Sequence, residues 1–400
     1  MKINKQLFGW GIYDFGNTIF SALFVTIYFP LMVVLSGGTE FQVGLTFSLS
    51  MLVAAFLVPT IGAVADITGR KKLFLIIFTM ASCIATLLVG FSGLSAVLIF
   101  GLLANLFYHA SLDIYDSMLT DMSNKKNIGK ISGFGTAFGY LGTILAVLVA
   151  YFIGINYGFE SALTVKSMFT VTSVLFLGSS LFTFALVKER STVRINTGHF
   201  KEGIKRVIFT IKNFKDFRPV WLFLLASFLY VDAANTVIIF LFLFGRDQIG
   251  LSLSQFLPIY VIMSLAAMAG AFTFGKVTDK MGHKKTLFGI LIAWIMIILI
   301  LRFYLSYSTY ILAGIFGGIL LGGMWTVTRP LLVELAPKGK VAELFGYQGL
   351  TEKLGGIAGP VIFGFMATRY GFQEALWSVI ILFILGALVL YFVKEPRRNN

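Results

Sequence analysis

The sequence predicts an all-α membrane protein with 12 transmembrane helices in two six-helix parallel repeats. Three observations predict it. The chain of 400 residues is 58% hydrophobic and only 12% charged, whereas soluble domains carry about 25% charged residues. Its apolar runs each approach the ~20 residues that a helix needs to cross ~30 Å of hydrocarbon. Finally, the chain repeats itself. Gly62, Asp66, Gly69, Lys71 and Lys72 of GAVADITGRKK return 213 residues on as Gly275, Asp279, Gly282, Lys284 and Lys285 of GKVTDKMGHKK. The same offset places Asp121 on Glu334, Gly133 on Gly346, and Leu141-Gly142 on Leu354-Gly355. A second match, at an offset of 218, pairs Asp14, Asn17 and Thr18 with Asp232, Asn235 and Thr236.

The first half has expected spans at about 10–36, 41–65, 73–91, 94–122, 128–153 and 165–187. The second half has them at about 219–245, 253–277, 286–306, 310–336, 343–369 and 372–393. This gives an N-terminal bundle over 1–187, a linker over 188–218 and a C-terminal bundle over 219–400. Within the linker, Lys201 to Lys215 mixes apolar and basic residues at helical spacing. A short amphipathic helix on the inner membrane surface is expected there.

Lys and Arg fill the loops near 66–72, 123–130, 188–218, 276–285 and 337–340 and both termini, while those near 37–40, 92–93 and 154–164 contain none. By the positive-inside rule both termini face the cytoplasm. The net charge of +14 is thereby explained without nucleic acid; its partner is the lipid headgroup surface. The Lys2–Lys5 start does not read as a cleaved signal peptide, because the apolar stretch that follows is long and carries Asp14. The single cysteine, Cys83, allows no internal disulfide and no cysteine-based metal site. Gly135/Gly139 and Gly355/Gly359 are G-x-x-x-G pairs, but no Gly-Lys-Ser/Thr follows them, so they read as close helix packing. No nucleotide motif, zinc spacing or catalytic triad is present. The expectation is no cofactor, no metal and no enzyme.

The G-x-x-x-D-x-x-G-R-K-K loop, present twice, resembles the signature of the major facilitator superfamily. A narrower resemblance covers nearly the whole chain. WGIYDFGNTIFS, NLFYHASLDIYDSMLTDMS, ISGFGTAFGYLG, LASFLYVDAANT and the stretch from GGMWTVTRP through ELFGYQGLTEKLGGIAGP are similar to the vacuole-effluxer-like branch, which includes the autophagy-related vacuolar amino-acid effluxers of fungi. The resemblance implies the superfamily fold and a transporter of small molecules in which helices 1, 4, 7 and 10 line a central path. It also implies an amino acid as substrate class.

Charge at membrane depth costs at least ~2.5–3.5 kcal/mol on insertion scales and marks functional candidates. The expected substrate and proton pathway comprises Asp14 and Asn17 in helix 1, Asn105, His109, Asp113 and Asp116 in helix 4, and Asp232 and Asn235 in helix 7. It also takes in Arg329 in helix 10 and Glu352 and Lys353 in helix 11. The helix 4 set stands at i, i+4, i+8 and i+11, which is one helical face. Buried carboxylates can take and release protons, and a cavity holding both signs suits a zwitterion. Asp14, with Asp113 and Asp116 in its own half, is expected to exchange the proton. Asp232, which shares its half with Arg329, is expected to bind substrate or brace the Arg. At the helix ends, Asp66, Arg70, Asp121, Asp279, Lys284 and Glu334 are expected to form a cytoplasmic gate, with plain charge anchoring as the alternative.

The reading is a secondary active transporter of a small polar solute, proton-coupled, monomeric and multi-pass in the plasma membrane. Two alternatives stay open: efflux of lipophilic cations, for which acids outnumber bases in the cavity, and a membrane receptor or lipid-handling protein that moves no solute.

Overall fold

The computed structural model describes residues 5–122, 128–189, 198, 201–202, 205, 218–335, 348–349, 351 and 354–394. Among them are twelve long helices and no strand. In the first half these are α1 (Lys5–Leu35), α2 (Glu40–Thr68), α3 (Lys71–Val89), α4 (Leu94–Met122), α5 (Ile128–Tyr157) and α6 (Ala162–Leu186). In the second they are α7 (Arg218–Ile249), α8 (Leu253–Met281), α9 (His283–Phe303), α10 (Tyr307–Leu335), α11 (Ala358–Tyr370) and α12 (Phe372–Tyr391). Eleven are long and apolar enough to cross a membrane; α11 has 13 described residues. The expected linker helix falls mostly outside the described residues.

The chain divides into two compact units. One comprises Met1–Gly38 and Leu49–Lys212, the other Thr39–Ser48 and Asn213–Asn400. Within the first, α1 packs on α5 and α6, and α3 on α4 and α6. Within the second, α7 packs on α11 and α12, and α9 on α10 and α12. The packing therefore repeats with the sequence. Small residues make it possible, since nothing hydrophobic drives helices together in lipid and backbone proximity must do so. A Cβ on Gly322 of α10 would run into the Ala267 carbonyl of α8, and one on Gly318 would lie 2.5 Å from the Met263 carbonyl.

Two elements depart from the sequence reading. Helix α1 is already helical at Lys5, the first described residue, and changes its winding midway: Lys5–Phe20 and Phe29–Leu35 are α-helical, but Ser21–Tyr28 is a π-helix. The eleventh span, read as one helix over 343–369, is interrupted. Gly355, Gly356 and Ile357 form a turn, and α11 starts only at Ala358. Two adjacent glycines weaken the helix there. Pro360 then falls in the new first turn, where its missing N–H is not needed.

The first turns of α2, which group with the second unit, lie on α11. A Cβ on Gly44 would strike the Pro360 carbonyl, and one on Gly364 the Glu40 carbonyl. The Phe41 N–H donates to Thr368 Oγ1 at 3.0 Å, and that hydroxyl donates to Glu40 at 3.2 Å.

Candidate functional site

In the first unit the D-x-x-N-T motif sits on the α-helical part of α1. Asp14 is half-buried, and Asn17 Nδ2 donates to its Oδ1 at 3.0 Å. The Thr18 hydroxyl donates to the Gly139 carbonyl of α5. Helix α5 approaches this closely because Gly139 and Gly142 face the motif. A Cβ on Gly139 would lie 3.5 Å from the Asp14 carboxyl, and one on Gly142 would strike the Phe15 carbonyl.

Helix α4 presents the expected polar face, graded along its length. Asn105 is 1% exposed and donates to Ser50 Oγ at 2.6 Å. His109 and Asp113 are half-buried and Asp116 is exposed. The face thus opens towards the C-terminal end of the helix. Aromatic pairs join it to α1. Tyr115 stacks on Trp10 with centroids 4.6 Å apart and on Tyr13 at 5.0 Å. Tyr108 stacks on Phe20 at 4.3 Å. Trp10 Nε1 donates to the Tyr115 carbonyl at 3.1 Å, and the Tyr13 hydroxyl bonds Thr79 at 2.7 Å. Sequence reasoning missed this wall. Its signal was present: Tyr13/Phe20 and Tyr108/Tyr115 each stand seven residues apart, two turns on one helical face.

In the second unit Asp232 is fully buried. Its Oδ2 accepts the Gly359 N–H at 2.7 Å, and the Thr236 hydroxyl donates to the Asp232 carbonyl at 2.7 Å. Asn235 is half-buried and Arg329 exposed. Beside Arg329, Thr328 of α10 meets the Tyr230 hydroxyl of α7 at 3.0 Å. Glu352 and Lys353 lie outside the described residues, as do the side chains of Asp66, Asp121 and Asp279.

The two repeated loops turn on Gly69 and Gly282, with φ of 67° and 90°, a region that glycine enters without steric cost. After the first turn, Arg70 keeps its Nε buried with no hydrogen-bond partner among the described residues. Lys71 donates to the Ser117 carbonyl of α4 at 3.1 Å. Glu189 accepts the Lys72 and Leu73 N–H groups at 3.2 and 3.0 Å. It thereby satisfies donors that the start of α3 leaves open, a role that its sequence position did not signal. After the second turn, His283 stands where the first loop has Arg70. Its Nδ1 lies 2.6 Å from Glu334 Oε2. Lys284 donates to the Tyr391 and Val393 carbonyls at 2.8 and 2.6 Å.

The MFS-type transporter YxiO of Bacillus subtilis is 25% identical over 100% of this chain and 97% of its own length. The autophagy-related protein 22-1 of Aspergillus niger is 26% identical over 68% of this chain, which spans 48% of that longer protein. Among solved structures, a bacterial homologue of the human lysosomal transporter Spinster superposes with a TM-score of 0.75 at 13% identity, covering 97% of this chain and 96% of the other. The nucleoside transporter NupG does so at 0.71 and 16%, covering 97% and 98%. The family model described as "Vacuole effluxer Atg22 like" matches residues 39–128 and 120–400. The chain belongs to this Atg22-like family and is a multi-pass membrane transporter of the major facilitator class, not an enzyme.

Proposed function

We propose that the protein moves a small polar solute, with amino acids as the substrate class, across the plasma membrane by proton-coupled alternating access as a monomer with both termini cytoplasmic. The observation that carries this reading is the graded face of α4. A polar stripe that runs from buried Asn105 to exposed Asp116 has no purpose against lipid, and charge is tolerated at that depth where it lines a solute path. Half-buried Asp14 on α1 supplies an acid, and exposed Arg329 on α10 a cation. An acid suits the ammonium of a zwitterion, and a cation suits its carboxylate. The match to the vacuole-effluxer family supports a solute transporter, and rocking of parallel six-helix halves supplies the mechanism.

The test has two stages. Purified protein is screened by thermal shift against a metabolite set, since a ligand of the folded state raises stability by mass action. Binders are then assayed for uptake into proteoliposomes with and without an imposed pH gradient. Amino-acid uptake that follows the gradient supports the proposal. Lipophilic cations as sole substrates would replace the substrate class, and no flux of any binder under any gradient would leave a non-transporting protein.

A further inference from the structure

We propose that Asp232 is a positioning residue: it caps α11 across the Gly355–Ile357 break and so fixes the seat on which the first turns of α2 rest. The inference does not depend on which solute is moved. Helix α11 begins at Ala358, and the first amides of a helix have no partner within it. Ile357, at the cap position, makes no side-chain hydrogen bond. The acceptor comes instead from α7, where Asp232 Oδ2 takes the Gly359 N–H at 2.7 Å. A carboxylate on the amide of a helix's first turn is the favourable arrangement of charge and dipole.

The surroundings leave Asp232 little room for another duty. The residue is 0% exposed, so no solute reaches it in this conformation. A Cβ on Gly359 would lie 2.9 Å from Asp232 Oδ1 and closer still to the Thr236 hydroxyl, so α11 is pressed directly onto the motif. Asp232 Oδ1 has no hydrogen-bond partner among the described residues. The acid is thus held for the one N–H that it accepts.

The same short helix carries the seat. Pro360 lies one residue beyond the capped amide, and its carbonyl touches Gly44 of α2; Gly364, one turn on, touches the Glu40 carbonyl. Phe41 meets Phe365 edge-on with centroids 6.1 Å apart, and Thr368 ties Phe41 and Glu40 by hydrogen bonds. Below the seat the span is a turn of two glycines and Ile357, which cannot by itself fix the direction of α11. Asp232 supplies that direction from α7.

The test uses the full-length protein in lipid nanodiscs and needs no substrate. Hydrogen exchange is followed in peptides covering 355–364 and 39–48 for Asp232→Asn, whose amide oxygen can still accept, and Asp232→Ala, which cannot. Asn should keep exchange near wild type. Ala should raise it about tenfold in both peptides, the scale of one lost cap, with other helices unchanged. Asp232→Thr and Asp232→Val, alike in shape but not in accepting power, repeat the comparison should Ala fail to fold; Thr should behave as Asn does. Equal exchange in Asn and Ala, a change confined to 355–364, or failure of all four variants to fold would overturn the proposal.

Discussion

Helix α5 crosses α1 much as the eleventh span crosses α7, yet only the second crossing interrupts a helix. Both crossings set two glycines against a D-x-x-N-T motif, Gly139 and Gly142 in one and Gly355 and Gly359 in the other. In the first, α5 runs unbroken from Ile128 to Tyr157; Asp14 is half-buried and shares a hydrogen bond with Asn17. In the second, the helix restarts at Ala358 and Asp232 is buried on its first turn. The same five-residue pattern thus leaves one acid approachable and occupies the other. The duty of a repeated residue follows from the backbone that meets it, not from the motif alone.

The largest expected effect on stability comes from filling the crossings. Gly142→Ala puts a methyl against the Phe15 carbonyl on an unbroken helix that cannot yield locally. It should cost about 1–3 kcal/mol, the usual range for overpacking. Gly359→Ala meets the Thr236 hydroxyl and Asp232, but the adjacent turn lets α11 shift, so its cost should be smaller. Gly178→Ala, which meets nothing within 4 Å, is the neutral control. Thermal unfolding in one detergent ranks the three, and equal losses at Gly142 and Gly359 would break the comparison.

The next effect concerns the polar residues that remain exposed, Asp116 and Arg329, which the 213-residue offset makes counterparts. If Arg329 grips a substrate carboxylate, Lys lacks the planar fork to replace it. Arg329→Lys should then weaken binding by about 1.5–3 kcal/mol, the range for a charged hydrogen bond. Wild-type affinity by calorimetry would remove Arg329 from the binding site.

Smaller effects test where the units agree. Each has a buried tyrosine on its first helix that meets a threonine, Tyr13 with Thr79 and Tyr230 with Thr328. Either Tyr→Phe change should cost about 0.5–1.5 kcal/mol, measured by thermal unfolding. Smallest is Glu334→Gln, which removes the partner of His283. A pair with both members partly exposed should cost no more than about 1 kcal/mol.

The sequence made the spans, the repeat and the α4 face legible because each rests on local pattern: apolar length, recurrence at a fixed offset, and helical spacing from Asn105 to Asp116. It also marked the break in the eleventh span, through Gly355-Gly356 and Pro360, but Gly355 reads, together with Gly359, as a close-packing pair. The hydrogen bond from the Gly359 N–H to Asp232 was not legible, since nothing local shows that this N–H needs an acceptor. Glu189 on α3 is likewise a contact over 116 residues to Leu73, beyond any local signal. The π-helix of Ser21–Tyr28 falls in SALFVTIY, which contains neither glycine nor proline to announce it.

The central claim is that the two acids have different duties, and paired transport assays on Asp14→Asn and Asp232→Asn test it most directly. A binder identified by thermal shift is followed in proteoliposomes both as uptake driven by a pH gradient and as counterflow exchange without one. Asp14→Asn should abolish the driven uptake and keep exchange. Asp232→Asn, whose amide still caps α11, should keep both. Loss of both activities in Asp232→Asn with retention of driven uptake in Asp14→Asn would contradict the account.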